Sequence, residues 1–540
     1  MTTDANASRQ DQARLVAALA QPARFDADCE RVTVLETHIS YVLLTGRFAY
    51  KLKKAVDFGF LDFTTLAARR HFCEEELRLN RRLAPALYLD VVPITGSVDA
   101  PIVGGDGTAI EHAVQMREFP QEALAGGLLA RGEFGATDID VLAAQVATFH
   151  GAIEVAAADA GFGAPDGVLQ RAQDNCSTLL PLLDDPVERW EVEALAAWTA
   201  REHAARRAAF ARRLEEGFVR ECHGDLHLGN IARIDGELTI FDCIEFNPAL
   251  RWIDVMSEVA FTVMDLEDRG RADLSHRFLN AYLERTGEYA GLAVLHFYLV
   301  YRALVRAKIA RLRTAQLAPG EERSASLAEY HGYVHLARGY AGSPQSAIVI
   351  THGLSGSGKT QLSEALLEAI GAVRVRSDVE RKRLHGLDPR DRRGAEHGLY
   401  AGAATDATYR RLAALTREIV VAGYVAVVDA AFLKRAQRDL LRDLAAKLGV
   451  AFVILALPAS EATLRERVGR RSAAGSDVSD ADLAVLGYQL HTQEPLAPDE
   501  EPYVVWYDAE APLANARAPE AWHAVRERIA HTVWDRRRSP

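Results

Sequence analysis

A chain of 540 residues is long enough for two to four domains, each with its own core. Apolar residues at 49% and charged residues at 26% are ordinary for a globular protein, and no apolar run nears the roughly 18 residues of a membrane span. The formal net charge of −12 argues against a general nucleic-acid binder, whose phosphate contacts need a basic surface, although a local basic channel survives that argument.

The five cysteines, at 29, 73, 176, 222 and 243, form no Cys-x-x-Cys pair and no metal-ligand spacing, so they read as reduced thiols of a cytoplasmic protein. Only eight of the 63 basic residues are lysine. A lysine placed where a compact, flexible ammonium would serve is therefore more informative than usual. Three of the eight fall within 51–54 and one is at 359.

Residues 10–20 have the spacing of a short amphipathic helix, and three strands follow at 31–36, 40–45 and 48–53. The third carries Lys51 and Lys53 on one face, because side chains alternate along a strand. Either lysine could reach nucleotide phosphates. The helix at 65–83 offers a carboxylate to hold such a lysine. Phe72, Leu79 and Leu83 share a face there, and spacings of three and four put Glu76 closest to it, with Glu75 next. Asp57-Phe58-Gly59 spells a magnesium-binding triplet, but it precedes any catalytic loop and reads as a turn. Strands at 91–95 and 113–119 complete a small lobe, with 115–118 as a hinge where backbone groups could meet adenine. From 132 to about 216 the periodicity is helical, and His150 reads as a packed core residue.

Residues 223–230 read His-Gly-Asp-Leu-His-Leu-Gly-Asn. They lead into a hairpin of strands 231–234 and 238–241 that turns at Asp235-Gly236. A loop carboxylate can accept the proton of an attacking hydroxyl. An amide five residues on, and a second carboxylate across the hairpin, can hold magnesium against phosphates. These roles fall to Asp225 as base and to Asn230 and Asp242 as metal ligands.

The loop resembles that of the aminoglycoside phosphotransferase-like kinases, small-molecule relatives of protein kinases. The Lys51 strand is similar to the Val-Ala-Ile-Lys strand of protein kinases, which favours Lys51 over Lys53. The resemblance implies an α+β, protein-kinase-like two-lobed domain, with a mainly β lobe over 1–120 and a helical catalytic lobe over 121–342. The chain departs from the protein-kinase pattern in having no Gly-x-Gly-x-x-Gly loop, and the turn at Thr37-His38 is the candidate to replace it. Glu245 fits the metal shell, a substrate contact, or a simple surface or capping role, and Asp254 reads as a helix cap. Cys222 and Cys243 read as small apolar packers. Tyr298, Arg302 and Arg306, at spacings of four, form either an anion-binding stripe or a solvated or interdomain face.

Gly342-Ser343-Pro344 breaks the chain and marks a domain boundary. In the second domain, 346–540, a β-branched run at 347–351 feeds Gly353-Leu354-Ser355-Gly356-Ser357-Gly358-Lys359-Thr360 and then a helix. This is a phosphate-binding loop in its required strand–loop–helix context. Backbone N–H groups at Gly353, Ser355, Gly356, Ser357 and Gly358 would curl around phosphates. The helix N-terminus adds partial positive charge, Lys359 reaches the β and γ phosphates, and Thr360 holds magnesium. A second strand, 373–376, ends at Ser377-Asp378 with Arg381 one turn later. A third, 425–428, ends at Asp429, where a Walker-B carboxylate assists magnesium, and a fourth, 452–457, precedes an arginine-rich helix.

The segment resembles the P-loop kinases grouped with gluconate kinase, zeta-type toxins and the kinase part of phage polynucleotide kinase. The resemblance implies an α/β P-loop NTPase domain with a parallel sheet. It also implies Asp378 as the acceptor's base, Arg381 as a holder of acceptor phosphate, and Arg467, Arg470 and Arg471 as lid cations. Residues 472–482 would be a flexible lid edge, 503–507 a last strand, and 522–538 a helix with a basic tail.

Together these readings give a bifunctional kinase that uses ATP and Mg2+, each site phosphorylating a hydroxyl of a sugar, amino sugar, amino alcohol or nucleoside. Three alternatives stand beside it: one half as a nucleotide-sensing module, a toxin-like nucleotide binder, and a nucleic-acid end kinase. The acidic charge weighs against the last.

Overall fold

The computed structural model describes residues 2–25, 28–59, 61–157, 159–343, 345–387, 402–474 and 482–536. They form two compact units. One is Met1–Asp138 with Thr148–Gly167 and Arg212–Thr262; the other is Ile139–Ala147 with Val168–Ala211 and Val263–Pro540.

In chain order the first elements are α1 (Thr2–Leu19), β1 (Thr33–Glu36), β2 (Ser40–Leu44), β3 (Phe48–Lys53), α2 (Leu66–Asn80), β4 (Tyr88–Ser97), β5 (Ala100–Val103) and β6 (Glu111–Arg117). Helices α3 (Ala125–Ala130), α4 (Ala136–Ala152), α5 (Pro165–Leu179) and α6 (Pro186–Glu215) follow. Next come β7 (Val219–Glu221), β8 (Ile231–Ile234), β9 (Glu237–Ile240), α7 (Pro248–Arg251), β10 (Trp252–Asp254) and α8 (Val255–Asp268).

The first unit is built on an antiparallel sheet of order β1-β2-β3-β6-β4-β5. Alternation along β3 sorts its side chains: Tyr50 and Leu52 pack with Leu15 and Leu19, while Lys51 and Lys53 meet α2 on the other face. Thr65 caps α2, its side chain accepting from Ala68 N at 3.1 Å. Asp57-Phe58-Gly59 is the expected turn, with Gly59 N donating to Asp57 Oδ1 at 2.7 Å. Strands β8 and β9 form the expected hairpin, turning on Asp235 and Gly236 at φ of 53° and 86°.

The chain continues with α9 (Ala272–Thr286), α10 (Leu292–Gln316), α11 (Glu321–Tyr340), β11 (Ala347–His352), α12 (Lys359–Ile370), β12 (Val373–Arg376) and α13 (Ser377–Leu384). Then come α14 (Gly402–Val421), β13 (Val425–Asp429), α15 (Arg435–Leu448), β14 (Ala451–Ala456), α16 (Glu461–Ala474) and α17 (Leu483–Thr492). The last elements are β15 (Val504–Trp506), α18 (Leu513–Ala516) and α19 (His523–Arg536).

The second unit holds a parallel sheet of order β12-β13-β11-β14-β15. Its central strands are buried along almost their whole length, as strands covered on both faces must be. Strand β12 lies at the edge, where unpaired backbone groups need a partner. Helix α9 supplies one. Asn280 Nδ2 donates to Ala372 O at 2.9 Å, and Asn280 Oδ1 accepts from Arg374 N at 2.7 Å, much as a neighbouring strand would.

Three expectations change. The compact units do not divide at 342–344, because α9 is bound to the P-loop segment: Arg277 pairs with Glu364 at 2.8 Å and Glu368 at 2.7 Å. Helical residues Tyr289–Gln316 are long and apolar enough to cross a membrane, contrary to the reading of the sequence, but 67% of the most apolar window is buried inside the protein, as in a core helix. The Tyr298–Arg302–Arg306 stripe is neither an open anion site nor a solvated face. Tyr298 and Arg302 are buried, and Arg306 packs on Tyr333 of α11.

Candidate active sites

In the first unit, β3, α2 and the β8–β9 hairpin converge on Lys51. Its Nζ lies 2.8 Å from Glu76 Oε1 and 2.5 Å from Asp242 Oδ1. Glu76 also binds Lys53, which pairs in turn with Glu245. Glu75 turns away to Arg78 and Arg251. The side chain of Lys53 is 0% exposed and that of Lys51 is 12% exposed, so of the two lysines it is Lys51 that reaches an opening. Burial opposes every charge here. It pulls the pKa of Lys51 down, yet Asp242 and Glu76 hold it well above the ordinary lysine value. Burial pushes Glu76 up, but the two ammonium groups hold it at about 2. Glu245 is pushed up by burial more than Lys53 pulls it down. Its place is as a buried counter-charge to Lys53, not the metal shell, surface or cap considered from sequence.

Asp225 and Asn230 stand side by side: Asn230 Nδ2 donates to the Asp225 carbonyl at 2.9 Å and to its Oδ2 at 3.1 Å. His227 Nε2 lies 3.3 Å from the same carboxylate oxygen. Asp242 takes a left-handed backbone, φ 66°, which aspartate tolerates better than most residues. An amide oxygen at Asn230 and a carboxylate at Asp242 are hard oxygen donors, the kind magnesium selects.

The loop itself hangs from a residue that the sequence reading passed over. Glu258, fully buried in α8, accepts the backbone N–H of His223 at 3.2 Å and of Gly224 at 2.7 Å. Burial would raise its pKa, but the His150 hydrogen bond at 3.0 Å helps hold it at about 2. His150 is thus buried, as expected, and it also orients this carboxylate. The available signal was a lone glutamate within the apolar stretch 255–266. Asp254 caps α8 as expected, through Met256 N at 2.8 Å, and also grips Arg213 with both oxygens at 2.7 Å.

In the second unit, the loop between β11 and α12 needs its glycines. Gly356 and Gly358 have φ of 89° and 80°, and a Cβ on Gly356 would sit 2.9 Å from the Leu464 carbonyl oxygen. A Cβ on Gly353 would meet Ser357 Oγ at 2.6 Å. Ser357 Oγ is buried and has no hydrogen-bond partner among the described residues. Not every loop N–H faces that cradle. Gly353 N donates to Ala431 O at 3.2 Å, Ser357 N to Leu354 O at 3.1 Å, and Ser355 N to Gln489 Oε1 of α17 at 2.8 Å. These three N–H groups brace the loop. Lys359 Nζ rests on the carbonyls of Gly353 and Leu354, 3.0 and 2.8 Å away. Burial lowers its pKa to about 8, although Asp429 and Asp378 pull the other way.

Lys359 and Thr360 line a cavity of about 1340 Å³ with Asp378, Arg381, Asp429 and Arg376. Arg467, Arg470 and Arg471 line it too. Asp378 Oδ1 pairs with Arg381 Nη1 at 3.1 Å. Asp429 accepts from Ser363 Oγ at 3.4 Å and lies 3.8 Å from Arg376 Nε. Arg467 Nη1 donates to Ala509 O at 2.9 Å, while the Arg470 side chain is 71% exposed. The hydroxyl of Thr360 and the carboxylate of Asp429 suit magnesium as hard oxygen donors. Within the expected lid edge, 475–481 lie outside the described residues, as do 537–538 of the C-terminal run.

Fold and sites together define two units, one with a lysine–carboxylate cluster on an antiparallel sheet and one with a glycine-rich loop between strand and helix of a parallel sheet. Residues 348–496 match the AAA domain family. A relative, described as an uncharacterized protein of Mycobacterium tuberculosis (strain ATCC 25618 / H37Rv), is 29% identical over 457 residues, covering 84% of this chain and 89% of the relative. Among solved structures, a gluconokinase from Sinorhizobium meliloti 1021 is 29% identical, with 35% of this chain and 97% of that one covered at a TM-score of 0.25. A choline/ethanolamine kinase family protein from Mesorhizobium loti is 12% identical, with 61% and 99% covered at a TM-score of 0.36.

Proposed function

We propose that this protein is an ATP-dependent, magnesium-dependent kinase with two phosphoryl-transfer sites, each acting on a hydroxyl of a small molecule such as a sugar, amino sugar, amino alcohol or nucleoside. One observation supports the reading: Lys51 meets Asp242 and Glu76 from separate elements, and Lys359, Asp378 and Asp429 line one cavity. In the first site Lys51 steadies the nucleotide phosphates, Asp225 accepts the acceptor's proton, and Asn230 with Asp242 would hold magnesium. In the second, Lys359 and the loop receive the phosphates, Asp378 takes the proton, Arg381 orients the acceptor, and Thr360 with Asp429 would hold magnesium. The lid arginines would add positive charge around the transferring group. Bound magnesium would neutralise phosphate charge and fix its geometry. The free thiols of all five cysteines support a cytoplasmic setting.

The test is ADP release by the full-length chain over a panel of hydroxyl acceptors, with Asp225→Asn and Lys359→Ala made singly and together. Each single variant is expected to lose a different set of acceptors, and the double variant all of them. If one single variant abolishes turnover with every acceptor, the chain is a one-site kinase.

A further inference from the structure

We propose that Glu284, on helix α9, is a positioning residue for the P-loop site and acts through Arg376; the proposal rests on reading that site as a magnesium-dependent kinase. Glu284 belongs to a helix that precedes the P-loop segment in sequence, yet it is largely buried beside β12. Its Oε1 lies 3.0 Å from Arg376 Nη1 and its Oε2 3.5 Å from Arg374 Nη2. Arg376 ends β12 two positions before Asp378, lines the cavity, and holds its Nε 3.8 Å from Asp429 Oδ2. One guanidinium therefore stands between a carboxylate outside the P-loop segment and the carboxylate suited to assist magnesium.

Distances and burial decide what this arrangement does. The side chains of Arg376 and Asp429 are only 10% and 5% exposed, so water screens their attraction weakly. Arginine's planar fork can close on a carboxylate with two hydrogen bonds. While Glu284 engages that fork, Arg376 remains at the outer limit of ion-pair distance from Asp429. The Asp429 oxygens then stay available for a cation. Without the Glu284 charge, Arg376 turns to Asp429 and competes with magnesium for it.

The position of Glu284 is fixed by more than the ion pair. Its carbonyl accepts from Arg383 Nη2 at 2.6 Å, and Tyr289 OH donates to Arg374 O at 3.3 Å. One turn earlier, Asn280 is bonded to the β12 backbone through Ala372 and Arg374. The helix is thus pinned to the strand that carries Arg376, and backbone geometry delivers the carboxylate.

The experiment uses the full-length chain with Lys51→Met and Asp242→Asn, which remove the phosphate and magnesium contacts proposed for the first site, so that analogue binding reports on the P-loop site. Binding of a non-hydrolysable ATP analogue is followed by calorimetry across a magnesium titration. Glu284→Gln keeps the side-chain shape and removes its charge. The magnesium concentration giving half-maximal analogue binding is expected to rise about tenfold, a usual size for coupling between sites. Affinity at saturating magnesium should stay near that of the parent. Adding Arg376→Gln should return the half-saturation point towards the parent value. An unchanged magnesium requirement in Glu284→Gln overturns the proposal, and so does a rise that Arg376→Gln does not reverse. Should Glu284→Gln not fold, Arg376→Gln alone serves: it is expected to leave half-saturation at or below the parent value, and a rise overturns the proposal. Analogue binding that survives Lys359→Ala would instead overturn the kinase reading of the site, and the proposal with it.

Discussion

On the proposed reading Lys51 and Lys359 both face phosphate, yet the protein charges them by opposite means. Lys51 is buried with two carboxylates and stays protonated. Lys359 rests on carbonyl oxygens, and burial leaves it near pH 8. Bound phosphate would raise that pKa, so binding takes up a proton at any pH between the two values. Nucleotide affinity of the P-loop site is therefore expected to be flat below about pH 8 and to fall above it, approaching tenfold per pH unit. Calorimetry from pH 6 to 10 should show this slope, and Lys359→Arg should remove it. The two β3 lysines also separate. Lys53→Met leaves Glu76 and Glu245 buried with one ammonium fewer and is expected to cost about 3–5 kcal/mol in thermal unfolding. Lys51→Met, with an opening beside it, should instead raise KM for ATP at the first site. Spacing made the loop and hairpin that carry the candidates Asp225, Asn230 and Asp242 legible in the sequence, because both are local. Glu245 was not legible: its partner Lys53 lies 192 positions away, and no local pattern announces that pair.

At the scale of elements, β3, β8 and β12 match their expected bounds, because short runs with aromatic or β-branched residues between turn residues have few other readings. Strand β5, only four residues long and holding Pro101, gave no such run. The polar face of α9 was harder still. His276, Arg277, Asn280 and Glu284 look like a solvated stripe until the strand they serve is in place. Asn280→Ala would leave Ala372 O and Arg374 N without this partner, and about 1–3 kcal/mol of local stability should be lost. Faster hydrogen exchange at the Arg374 amide is the measurement. Glu258 does for the catalytic loop what Asn280 does for β12. Glu258→Gln weakens the charged acceptor for His223 and Gly224, and displacement of Asp225 should lower kcat of the first site by about a hundredfold. In a Lys359→Ala background, KM for ATP should hardly move.

For the molecule as a whole, Gly342-Ser343-Pro344 made a break in the chain readable, but not which helices are compact with which sheet. The deciding ion pairs join Arg277 to residues 87 and 91 positions later, and arginine-rich helix faces are too common here to single one out. Cutting the chain at that break would bare the β12 edge. A fragment of residues 346–540 is expected to scatter light at concentrations where residues 263–540 stay clear, because an uncovered edge strand recruits other chains.

The covered edge bears also on how the protein is made. Helix α9 leaves the ribosome before β12, since Asn280 precedes Arg374 by 94 positions. At roughly 5–20 residues per second, translation gives that helix several seconds to form before its strand emerges. This edge strand, open to pairing with a neighbouring nascent chain, thus meets its own cover first. Order of synthesis, and not only final stability, favours having these helices upstream of the P-loop segment in one chain.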